Sequence, residues 1–211
     1  MISETFVEKT HEEKINIIQT SVIDWIENPF LKELTDRFLR TYSEIFFKAP
    51  AAGRHHHAYE GGLLDHSYEV MQIASVVSEL YPQINRDLIY CGGFLHDIGK
   101  MKNYSPYILK SGKISTATPY KRNDYSKIMD HFGEGHRIIT EMVKDMEYEG
   151  YTIEPIPLFD IHHIIASHHG PVALRWGSEV DPNTPEAWII HQADMISSRV
   201  GGDDPNNSPK V

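Results

Sequence analysis

The residues of this chain best equipped for chemistry are histidines and aspartates set inside apolar segments. The sharpest group is His96-Asp97-Ile98-Gly99-Lys100, which ends the apolar run Cys91-Gly92-Gly93-Phe94-Leu95. An imidazole beside a carboxylate at a helix end offers two adjacent metal ligands of different kinds, and the two oxygens of Asp97 can bridge a pair of ions. Gly99 lets the chain turn sharply, which would bring Lys100 back toward a phosphate. His66 falls on the stripe Leu63, His66, Val70, Ile73, Val77. A histidine on a core-facing stripe needs a partner, because an unpaired polar group there costs free energy. Asp194 shares one side of its segment with Ala187, Ile190 and His191, and a buried carboxylate must be paired or must coordinate something. His136 accompanies Ile139 and Val143, and His168 accompanies Ile161 and Ile165.

Taken singly, each reads more readily as a satisfied polar group: His66 bonded to a backbone carbonyl, Asp194 in a salt bridge to Arg199. Together they sit on the inner faces of separate predicted helices, and that is how helical bundles build metal sites.

The elements that must position them follow from apolar spacing. Helices are predicted over residues 11–27, from Asn28-Pro29 to about 47, and over 61–80, 85–97, 125–146, 158–169 and 184–199. Gly133 and Gly135 are expected to interrupt the fifth of these. Residues 103–125 read as a loop or short hairpin around Ser111-Gly112-Lys113. Within them Tyr104, Tyr107, Tyr120, Lys121, Arg122 and Tyr125 combine rings with charge, which suits base stacking and phosphate contact or an ordinary exposed loop. Trp25, Trp176 and Trp188 are expected in the core. Gly201–Val211 is rich in Gly, Asp, Asn and Pro and is expected to be a flexible tail. The class is all-α with at most one small β-hairpin.

A net charge of −10 on 211 residues argues against a passive nucleic-acid coat, which relies on spread basic charge. It leaves open an enzyme acting on phosphates, because bound metals supply positive charge locally. One cysteine, Cys91, permits no disulfide within the chain and suits a reducing compartment. No run approaches the ~18 apolar residues of a membrane span, and no basic segment followed by an apolar run opens the chain. A cytoplasmic protein with no membrane association is expected; oligomeric state is not legible.

The order His66, His96-Asp97, His136, His168, Asp194 resembles the HD superfamily pattern in its two-metal form. The strings "HHHAYEGGLLDHSYEV" (55–70), "GGFLHDIGK" (92–100), "IIASHHGP" (164–171) and "TPEAWIIHQADMISSRV" (184–200) resemble the HD domain of YhaM-type 3′–5′ exoribonucleases and of conjugative relaxases. The resemblance implies an HD-domain helical bundle over 51–200, with 1–50 a helical extension packed on it and 201–211 a tail. It implies one metal on His66, His96, Asp97 and Asp194, and a second on Asp97, His136 and His168, with His169 replacing or supporting His168. Mixed N/O ligation suits one or two ions of Mn²⁺, Fe²⁺, Ni²⁺ or Zn²⁺, and the absence of cysteine ligands disfavours a structural zinc site. The implied activity is hydrolysis of a phosphoester by a metal-activated hydroxide, with Asp97 and Lys100 catalytic. Arg54, His56, His57 and Lys100 would contact substrate phosphate. YhaM-type enzymes carry a further β-domain before the HD domain; here about 50 residues of helical pattern occupy that place, which leaves room for smaller substrates. The first reading is a nuclease on short single-stranded nucleic acid. The second is a nucleotide or cyclic-nucleotide phosphohydrolase. The third, a non-catalytic HD-like binding module, predicts lost ligands.

Overall fold

The computed structural model describes residues 10–174 and 177–200. The predicted tail over 201–211 and Trp176 therefore lie outside the described residues. The helices are α1 (His11–Ile17), α2 (Ile23–Trp25), α3 (Pro29–Phe46), α4 (Gly62–Ser78), α5 (Arg86–Leu95), α6 (His131–Tyr148), α7 (Pro155–Ser167) and α8 (Pro185–Val200). A π-helical turn, Ile18–Val22, joins α1 to α2, and a 3₁₀ turn, Ile98–Lys102, follows α5. The only sheet among the described residues is the antiparallel pair β1 (Tyr104–Pro106) and β2 (Tyr120–Arg122), with Ser105 opposite Lys121. The all-α reading with one small hairpin holds.

Local chemistry sets the helix starts. Thr10 and Glu13 form a capping box at α1, which satisfies two otherwise unpaired N–H groups. The Asn28 carboxamide oxygen accepts from Leu31 N at 2.9 Å, and Pro29 takes the first helical position of α3, where its missing N–H is no loss. Helix α6 starts later than its apolar pattern predicts. Asp130 caps it, accepting from Gly133 N at 2.8 Å, and a 3₁₀ turn, Tyr125–Lys127, stands where the helix was expected to begin. Gly133 and Gly135 do not break α6. A Cβ on Gly135 would lie 3.1 Å from the Ile165 side chain, so this glycine admits α7.

The core joins the N-terminal helices to the rest. Phe38 and Phe46 of α3 meet Phe94 of α5 edge to face at 6.2 and 5.3 Å, the geometry aromatic rings prefer. The Asp87 carboxylate accepts from Glu27 N and Asn28 N at 2.9 and 2.8 Å. Lys14 of α1 forms a buried ion pair with Asp65 of α4 at 2.8 Å, next to His66. On α5, a Cβ at Gly92 would meet Ile164 at 2.6 Å and one at Gly93 would meet Met71 Cα at 3.1 Å. The glycine pair thus lets α5 lie close against α7 and α4, which brings three histidine-bearing elements together. Trp25 and Trp188 are 39% and 42% exposed, against the expectation of a core role. Each keeps one flank packed, on Tyr90 and His191 respectively.

Candidate metal centre

Four helices and a 3₁₀ turn converge at Asp97. His66 comes from the buried face of α4, His96 from the C-cap of α5, and Asp97 opens the 3₁₀ turn. His168 is the C-cap of α7 and Asp194 lies on the buried face of α8. His66, His96, Asp97 and His168 are at most 1% exposed. His66 Nε2 lies 3.1 Å from Asp194 Oδ1, 3.4 Å from Asp97 Oδ2 and 3.3 Å from His96 Nε2. On the other side of the same carboxylate, His168 Nε2 lies 3.4 Å and His131 Nε2 3.8 Å from Asp97 Oδ1.

The outer nitrogens fix which inner atoms are free. His96 Nδ1 lies 2.8 Å from Gly93 O, and His168 Nδ1 lies 2.8 Å from Ile165 O. A carbonyl can only accept, so both Nδ1 atoms carry the proton and both Nε2 lone pairs point inward. His66 Nδ1 lies 3.0 Å from Ser197 Oγ, whose hydroxyl donates to Glu69 Oε2 at 2.9 Å. Ser197 therefore accepts from His66. Such outer partners orient metal-binding imidazoles and set their tautomer.

The result is acceptor facing acceptor. Asp97 Oδ1, His168 Nε2 and His131 Nε2 are buried and have no hydrogen-bond partner, although buried polar atoms normally have one. The His168 Nε2 lone pair and Asp97 Oδ1, aimed at one another across 3.4 Å, repel unless a cation lies between them. Ligand atoms of His66, His96 and Asp194 lie within 4.8 Å of one another, as do those of His96, Asp97 and His168, and those of His131, His168 and His169. The donor chemistry of imidazoles and carboxylates fits a divalent transition metal.

Electrostatics point the same way. Burial pushes the Asp97 carboxyl up, but the Lys100 ammonium, 2.5 Å from Oδ2, and the imidazoles hold it well below its usual range. Asp194 is likewise held low against burial by His66. Burial drives His96 and His131 down and takes His169 to about 3, which keeps them neutral and able to ligate. Burial also disfavours the His66 cation, but Asp194 and Asp97 raise it to about 9. Without a metal, protonated His66 and Lys100 balance two buried carboxylates.

Several residues singled out by sequence fall elsewhere. His136 does not join the cluster. Its Nδ1 lies 2.8 Å from His162 Nδ1 and its Nε2 3.6 Å from Glu179. His131 lies at the Asp97 carboxylate instead. Sequence reasoning missed it because it sits at the first position of α6, not on an apolar stripe. The signals were Asp130 as a cap and Gly99. A Cβ on Gly99 would fall 1.9 Å from His131 O, so Gly99 serves close approach of the 3₁₀ turn to α6. His169 stands with His168, their rings 4.4 Å apart. Asp194 pairs with His66, and Arg199 instead meets Met195 Sδ at 3.2 Å. Lys100 is buried against Asp97. His56 is partly exposed, its ring 5.0 Å from that of His66. Arg54 is exposed and donates to His55 at 3.3 Å. His57 is fully buried, at φ 50°, with Nε2 3.3 Å from Glu69. It therefore supports the loop instead of meeting a phosphate from solvent. A Cβ on Gly62 would fall 2.0 Å from His57 O, which explains the glycine there.

The HD domain family model matches residues 63–199, and the chain belongs to that family. A second family model, TraI_2, described as a helicase, matches residues 5–82. The 3′-5′ exoribonuclease YhaM of Listeria welshimeri is 34% identical over 181 residues, 86% of this chain and 52% of that protein. The protein of the same name in Oceanobacillus iheyensis is 32% identical over 197 residues, 92% of this chain and 57% of that one. The chain thus spans about half the length of these relatives. No solved structure matches it. Among the described residues no helix is long and apolar enough to cross a membrane.

Proposed function

We propose that this chain is a metal-dependent phosphodiesterase that degrades single-stranded RNA from its 3′ end, with Asp97 shared between two divalent ions. The observation that carries the reading is the Asp97 carboxylate itself. One oxygen faces His66 and His96 and the other faces His131 and His168, all within 3.8 Å. The RNA substrate and the direction are taken from the name of the relatives.

His66, His96, Asp97 and Asp194 would hold one ion, and Asp97, His131, His168 and His169 the other. Bound there, ions such as Mn²⁺, Fe²⁺, Ni²⁺ or Zn²⁺ would supply a water acidic enough to act near neutral pH and charge for the phosphoryl oxygens. Ser197, Gly93 O and Ile165 O hold the imidazoles in the tautomer that leaves Nε2 free. Lys100 keeps a fixed positive charge at the same place, where it offsets charge developing on phosphate. Arg54, which is exposed, and His56, partly exposed with its ring 5.0 Å from that of His66, would meet the substrate backbone. The single buried cysteine suits the cytoplasm, where RNA turnover occurs.

The test is a 5′-labelled single-stranded RNA incubated with the protein and each ion in turn. A ladder shortening from the 3′ end, abolished by chelator and by Asp97→Ala, is expected. Hydrolysis of nucleotides alone, with the RNA intact, would replace this reading with a nucleotide phosphohydrolase.

A further inference from the structure

The chain departs most from its own average charge between the 3₁₀ turn and α6. Residues 102–127 hold six basic side chains and one acid, Asp124, a formal +5 in a chain of −10. Lys102 and Lys127 are ion-paired, with Glu134 at 3.6 Å and Asp124 at 2.7 Å. Among the described residues, Lys110, Lys113, Lys121 and Arg122 have no carboxylate at ion-pairing distance. Free cations gathered on one element attract a polyanion even when the whole molecule is acidic.

The same element presents a fixed aromatic ring. Tyr107 is 38% exposed, yet its backbone is held on both sides. Its N–H donates to Pro119 O at 2.8 Å and its carbonyl accepts from Ser115 N at 2.9 Å. The Lys121 ammonium lies 5.0 Å from the Tyr107 ring centroid. An exposed ring in a rigid frame with a cation beside it matches what single-strand binding proteins use, a stacking face next to a phosphate contact.

The element is also anchored to the metal centre. Strand β1 begins directly after the 3₁₀ turn that carries Lys100. On β2, Tyr120 N donates to Gly53 O at 3.1 Å, in the loop that leads to Arg54 and His56. A Cβ on Gly53 would lie 3.0 Å from Tyr120 O and 3.7 Å from the Tyr104 ring. The hairpin therefore packs directly on the loop that leads to His56, whose ring lies 5.0 Å from that of His66.

We infer that the β1–β2 hairpin is a grip for single-stranded nucleic acid, in which Tyr107 stacks a base and Lys121 and Arg122 contact phosphates of the strand leading into the metal centre. The inference rests on the nuclease reading and adds the surface that selects a polymer over a nucleotide.

The experiment compares two substrates on the full chain loaded with Mn²⁺: a short 5′-labelled single-stranded RNA and bis-p-nitrophenyl phosphate. The small diester reads the metal centre alone. Tyr107→Ala is expected to raise KM for RNA about tenfold, the scale of one lost base stack, with unchanged hydrolysis of the small diester. Tyr107→Phe, which keeps the ring, should restore the RNA value. Lys121→Glu should also raise KM for RNA and flatten its salt dependence, the log–log slope falling by about 0.7 per lost phosphate contact. Unchanged KM for RNA in both variants, with wild type cleaving RNA, overturns the grip and leaves the nuclease standing. Wild type that hydrolyses the small diester and ignores RNA overturns the nuclease reading and the grip together.

Discussion

At the scale of single residues, the proposed ligand His131 and its neighbour His136 differ in what their ring nitrogens face. His131 and His136 lie on the same helix, five residues apart. One aims Nε2 at Asp97, and the other meets His162 and Glu179. His131→Ala should remove about one equivalent of metal and lower activity by at least the ~10–100-fold that loss of an outer-shell partner costs. His136→Ala should leave both unchanged. Metal analysis with bis-p-nitrophenyl phosphate hydrolysis checks the pair, and the reverse outcome would return His136 to the site. Ser197→Ala removes the acceptor for His66 Nδ1 and should weaken metal binding by about 10–100-fold without loss of the fold, as a metal titration would show. His66, His96, Asp97, His168 and Asp194 were legible because each interrupts an apolar stripe or ends one. His131 was not, because helical periodicity carries no information at a first position fixed by a cap. His57, expected at substrate phosphate, is fully buried on a left-handed backbone at φ 50°, and no periodic pattern in its own segment encodes that burial.

At the scale of elements, the cluster depends on close approaches between backbones. Gly99 is the critical one. Gly99→Ala places a methyl group 1.9 Å from His131 O, so the 3₁₀ turn and α6 must separate. Overpacking of this kind costs roughly 1–3 kcal/mol, and a melting curve should fall by a few degrees for each kcal/mol in a chain of this size. The variant should stay helical by circular dichroism and lose the ion bound through His131 first. A variant with full metal content would show that the approach is not needed for the site. Asp130→Ala, which removes the α6 cap, should cost about 1 kcal/mol and act on the same ion more weakly. Helix positions were largely legible from apolar spacing, and the N-caps Asn28 and Asn85 fell where the patterns begin. The start of α6 was not. Met129 and Ile128 extend the apolar pattern upstream, while Asp130 captures the free N–H groups and sets the true boundary.

At the scale of the molecule, net charge and local charge tell different stories. A sum of −10 argues against a passive nucleic-acid coat, yet it averages a basic hairpin with acidic helices. The hairpin was visible as a Tyr-, Lys- and Arg-rich stretch, but its packing against the loop at Gly53 was not, since no local pattern encodes which distant loop a hairpin covers. The buried carboxylates also tie stability to the ions. A metal held at a hundredfold above its Kd should add about 2.7 kcal/mol, and chelation should lower the melting temperature by several degrees. Asp97→Ala should show no such shift. The most direct test of the central claim is metal content per chain together with bis-p-nitrophenyl phosphate hydrolysis, for wild type and Asp97→Ala after reconstitution with Mn²⁺. The account predicts close to two equivalents and activity in the wild type, with both metals and activity lost in the variant. A wild type that binds no metal and hydrolyses nothing after reconstitution would contradict it.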